Sequence, residues 1–162
     1  MSQPPAHAAF AAALNAELAA FAELRRILQA EQDCLLGTDT DALLALADLK
    51  SRTVERLAEW ASERAAFLRA QRLPPGGDGM RQWLSAQTGV EAKQLNDTWT
   101  RMLALAAHAR AANEINGGLI GTRLGHNHAA LAALQAAAQH HSVYGPDGQS
   151  DLRVANRELG RA

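Results

Sequence analysis

Large apolar residues recur along this chain at spacings of three, four and seven, broken only at a few glycine- and proline-rich points, and that rhythm leaves it little choice but helix. Phe10, Leu14, Leu18, Phe21, Leu24, Leu28 and Leu35 form one such stripe, the apolar face of an amphipathic helix. Pro4-Pro5 suits an opening turn and Gly37 a stop, so a first helix is expected between them. Thr38-Asp39-Thr40-Asp41 then offers N-cap oxygens before a second stripe of Leu43, Leu46, Leu49, Val54, Leu57, Trp60, Phe67 and Leu68. Pro74-Pro75-Gly76-Gly77-Asp78-Gly79 cannot continue it, so the second helix is predicted to end by Leu73. The short join around Gly37 favours an antiparallel hairpin.

Met80 to Gln87 reads as a short helix carrying Trp83 and Leu84. Thr88, with Glu91 three residues on, has the form of a capping box for a last helix running from about Val90 to His140. Gly117, Gly118 and Gly121 fall in its middle, where glycine weakens a helix, so a kink or a close helix approach is expected there. From Ser142 the pattern fades into turn chemistry and a polar end read as a flexible tail, giving a helical domain at 1–141 and a tail at 142–162.

Strands are poorly supplied, because only four Val and three Ile occur among many Ala, Leu, Gln, Glu and Arg. The expected fold is therefore all-α: an elongated antiparallel helical bundle or coiled-coil hairpin with a long C-terminal helix and a flexible tail. The 48% hydrophobic content is largely Ala, which predicts a thin core. A net charge of -1 with both signs interspersed gives no case for nucleic acid or for an anionic membrane surface, and no apolar run is long enough for membrane insertion. Met1 to Pro5 lack a basic leader region and Cys34 is the single cysteine, which fits a reducing cytoplasm.

Enzyme chemistry finds no foothold. His126 and His128 lie two apart, on different faces of a helix, and His140-His141 is an adjacent pair, whereas helical metal ligands need spacings of three or four. Cys34 has no base nearby in sequence and reads as a small buried residue. Gly76 to Gly79 follows a helix and lacks the Lys-Ser/Thr of a phosphate loop, so it reads as a linker. No catalytic residue, metal or cofactor is implied.

The distinctive chemistry lies in the seam of the last helix: Trp99, Met102, Ala106, Ala109, Asn113, Asn116, Ile120, Arg123 and Asn127, then Leu131, Leu134 and Ala138. Asn in such a seam fixes register at a cost in stability. On spacing alone these amides either pair inside the bundle, face water, or meet a partner helix. Leu119, Leu124, Leu131 and Leu134 add large side chains between Ala-rich turns, a surface fit to receive another helix or to close the internal bundle. Tyr144, the one tyrosine, stands on a Gly145-Pro146-Asp147-Gly148 strap.

Asn113, Asn116, Gly117, Leu119 and Ile120, followed by Leu124, Asn127, Leu131 and Leu134 and then by Tyr144-Gly145-Pro146-Asp147-Gly148, resemble the FlgN family of flagellar export chaperones in order and separation. The resemblance implies a cytoplasmic, non-enzymatic chaperone of type III flagellar export. Its clients would be the hook–filament junction proteins FlgK and FlgL, whose terminal helices it would keep from premature assembly. It also implies that the Asn113-to-Leu134 set binds cargo and that Tyr144 to Gly148 engages the export gate protein FlhA; a homodimer is compatible with it. Two rivals stay open: a chaperone of another client, as in the FliT and FliS families, and a structural coiled-coil scaffold or tether.

Overall fold

The computed structural model describes residues 5–37 and 40–143, and side-chain surroundings between residues 7 and 138. Four helices follow in order: α1 (Pro5–Leu36), α2 (Ala42–Ala70), α3 (Gly77–Ser85) and α4 (Gly89–Val143). Among the described residues there is no strand. The chain divides into two units between Ile120 and Gly121, inside α4.

Within the first unit, long-range polar pairs fix the helix directions. Arg64 pairs with Glu17 and Lys50 with Glu31, so α1 and α2 run antiparallel as the short join requires. Thr98 donates to Asn15 and Asn116 to the Leu28 carbonyl, so α4 runs parallel to α1. Helix α1 is thereby gripped from both sides.

The core comes in two parts of different chemistry. At one end Phe10 of α1 stacks on Phe67 of α2 with ring centroids 3.8 Å apart, and Trp83 of α3 meets both edge-on. Leu14, Leu68, Met80, Leu84, Leu95, Trp99 and Met102 complete this cluster. Edge-to-face and stacked rings add specific attraction to their large buried area. Further along, the core thins to Leu24, Leu28, Leu57 and Ala109. The first-helix stripe is inside or half-inside as its period requires, with Ile27 buried beside it. On α2 the stripe is incomplete, since Leu49 and Val54 are 44% and 49% exposed.

Helix ends follow local chemistry. α1 closes at Gly37, whose N–H donates to the Asp33 carbonyl at 2.9 Å. Asp41 precedes α2 without a side-chain capping bond, and the Thr40 carbonyl takes the Leu43 N–H instead. α2 stops at Ala70, earlier than the proline block demands. Arg72 takes φ 59°, the Leu73 N–H returns to the Leu68 carbonyl and the Arg72 N–H to the Arg69 carbonyl, which together make a Schellman motif. Leu73 packs on the cluster containing Leu68, the contact that usually accompanies such a cap. After Gly76, at φ 93°, α3 starts at Gly77, ahead of the expected Met80. Gly79 within it is buried against Pro74, whose carbonyl oxygen a Cβ would overlap.

Arg72 is exposed and bears the strain of a left-handed conformation that glycine adopts freely. Arg72→Gly is expected to raise stability by up to about 1 kcal/mol, whereas Gly79→Ala is expected to lower it by about 2 kcal/mol or more. Urea denaturation followed by circular dichroism checks both.

Candidate functional site

The residues singled out on α4 do not share one environment. Trp99, Met102 and Ala109 are buried and Ala106 half-buried, as the seam requires. Asn116 is 1% exposed: its Nδ2 donates to the Leu28 carbonyl at 2.9 Å and to Glu31 Oε2 at 2.8 Å. Both partners are acceptors, which fixes the amide with its nitrogen toward α1 and leaves Oδ1 buried without a hydrogen bond. Asn113, one turn earlier, is exposed and lines a cleft between α2 and α4. The paired asparagines therefore have separate roles, one inside the bundle and one at its surface.

Glu31 is itself 4% exposed and also accepts from Lys50 of α2 at 2.6 Å. One carboxylate thus ties α4 through Asn116 and α2 through Lys50 to the same turn of α1. Sequence reasoning missed this group, and no local signal could have found it, since its partners lie far along the chain. The same holds for Glu17, 3% exposed and paired with Arg64, whose guanidinium also lies over the Trp99 ring at 5.3 Å.

Past Asn116 the seam changes character while keeping its period. Leu119 and Arg123 are half-buried, but Ile120, Leu124, Leu131 and Leu134 are 39%, 52%, 54% and 68% exposed, and Asn127 is exposed among them. Gly117, Gly118, Gly121 and Gly125 lie within an uninterrupted helix, and nothing lies within 4 Å of where their Cβ atoms would be. The expected close approach at these glycines is not made within the described chain. Within the second unit Leu124, Asn127, Leu131 and Leu134 are exposed on the same helix as Gly121 and Gly125.

No group of His, Cys, Asp and Glu able to hold a metal occurs among the described residues, and His126 and His128 are exposed. Cys34 is half-buried, less enclosed than expected. No described helix is long and apolar enough to cross a membrane. Tyr144, Gly145, Pro146, Asp147 and Gly148 lie outside the described residues.

Comparison with known protein families matches residues 1–151 to the FlgN protein family. The chain belongs to the FlgN family. It is accordingly a cytoplasmic, non-enzymatic chaperone of flagellar export serving FlgK and FlgL. No curated protein and no solved structure matches it. The match takes in α1 to α4 and the Tyr144–Gly148 segment, well beyond the C-terminal motifs that carry the sequence resemblance.

In this FlgN protein Asn116 is expected both to secure register and to keep the buried Glu31 carboxylate satisfied. Asn116→Leu removes the unpaired Oδ1 but also takes a donor from the buried Glu31 carboxylate, and is expected to cost about 1–3 kcal/mol, whereas Asn116→Asp, which sets a second carboxylate against Glu31, is expected to cost about 3 kcal/mol or more. Chemical denaturation of the two variants beside the parent protein gives the comparison.

Proposed function

We propose that the exposed face of α4 formed by Ile120, Leu124, Asn127, Leu131 and Leu134 receives the terminal amphipathic helix of FlgK or FlgL. The observation that carries the reading is the exposure of four large apolar side chains in one helical stripe, in phase with a seam that is buried earlier in the same helix. A client helix laid there covers apolar surface that water otherwise solvates, and its own sticky face is covered in return. Gly117 and Leu119 lie at the start of this face and Asn113 at the surface one turn before it. Asn116 contributes indirectly, by holding α4 in register on α1.

Delivery falls to a separate element. Tyr144, on the Gly145-Pro146-Asp147-Gly148 strap, docks on FlhA as an aromatic anchor, which leaves the client-binding face free during handover. Without client, the same leucine stripe pairs with that of a second copy in a homodimer that client displaces.

Because Ile120 and Leu131 are exposed, Asp at both positions leaves the free chain helical. Affinity for the terminal fragments of FlgK and FlgL is then expected to fall by about a hundredfold or more, since a client helix would bury unpaired carboxylates. Unchanged affinity in a folded double variant would remove α4 as the receptor. Tyr144→Ala is expected to do the converse, holding client affinity while weakening FlhA binding by about 2 kcal/mol. Titration calorimetry with each partner measures both, and lost client binding with intact FlhA binding would place Tyr144 in the client site.

A further inference from the structure

A cleft suited to a helix lies within the first unit. Its floor is Phe21, Leu24 and Leu28 of α1. One wall is α2 from Ala47 to Val54 and the other α4 from Ala106 to Asn113. Each of the three helices contributes about two turns, so the slot is about 10 Å long at 1.5 Å per residue, with a volume of about 440 Å³.

The cleft is open for identifiable reasons. Ala47 on one wall and Ala106 and Ala109 on the other are too small to meet across it. At one end Glu31 holds Lys50 of α2 on Oε1 and Asn116 of α4 on Oε2, which fixes both walls to α1. Val54, 49% exposed, keeps apolar surface at the edge.

Its charge is one-sided. No carboxylate lines it, whereas neighbouring clefts contain Glu17 and Glu63, Glu91 and Asp97, or Glu23. Lys50 is committed to Glu31, but Arg110 on the rim is exposed and has no ion pair among the described residues. Asn113 stands one turn from Arg110 on the same wall, its exposed carboxamide able to meet an incoming backbone or side chain.

We infer that this cleft is a second docking site for the client, taking two turns of amphipathic helix with apolar side chains at i, i+3 or i+4 and i+7 and a carboxylate set against Arg110. The spacing follows from the two-turn floor, and the acidic edge from the unpaired guanidinium. The inference rests on the client-binding reading above and adds to it a site with a charge requirement.

The test uses the full chain and the terminal helical fragments of FlgK and FlgL. Ala47→Trp fills the slot from an exposed wall position, and Arg110→Glu reverses the rim charge. With helicity and melting temperature held, each is expected to weaken client binding by about tenfold or more, and replacing an acidic residue of the client helix by Lys is expected to restore binding to the Arg110→Glu protein. Parental affinity in both variants overturns the inference. If the Ile120/Leu131 double variant loses client while these two keep it, the cleft fails and the leucine stripe stands; the opposite pattern leaves the cleft and removes the stripe. A change in self-association with client affinity intact would assign the cleft to a second copy and equally overturn the proposal.

Discussion

Two buried carboxylates on α1 organise the first unit. Glu17 and Glu31 lie about four turns apart on one helix, each almost wholly enclosed and each held by a cation of α2. A carboxylate in such a place is tolerable only when its partner is present, so the pairs act less as added stability than as a condition on assembly. Arg64 must reach Glu17 and Lys50 must reach Glu31, and only one antiparallel register does both. Asn116 adds the same condition for α4, because its amide must meet the Leu28 carbonyl and Glu31 together. A misregistered packing would leave these groups buried and unpaired.

That specification matters because the apolar core alone is undemanding. Toward Phe10, Phe67 and Trp83 the rings have shape and preferred geometry, and they fix that end. Toward Leu24, Leu28 and Ala109 the contacts are among small and flexible groups that slide with little penalty. The polar ties to Glu31 fall where the aromatic constraint has given out. The Ala-rich, thinly filled region leaves a groove between fixed helices, floored by Phe21, Leu24 and Leu28.

Much of this was legible without coordinates. The stripe from Phe10 to Leu28, the stop at Gly37, the separate short helix with Trp83 and the long last helix all follow from periodicity and from glycine and proline, which act over a few residues. Family membership was legible in the Asn113-to-Gly148 motifs. The site was legible only in part. Asn113 and Asn116 look equivalent at a spacing of three, yet one is at the surface and the other sealed on α1. The Schellman ending of α2 was missed because Arg stands where glycine would have signalled it.

The sequence by itself determined which segments are helical, where most of them end, which face of each is apolar and to which family the chain belongs, because these depend on short-range propensity, period and motif. Tertiary structure alone decided which parts of those faces are covered. Helical phase is the same for Ala109, buried, and for Leu131, exposed. Ala109 is covered because it packs with Leu24, Leu28 and Leu57, and no local pattern in α4 encodes those contacts. It also decided that Glu17 and Glu31 are interior, against every expectation for the residue type, because the groups that make their burial tolerable are brought to them only when distant helices pack.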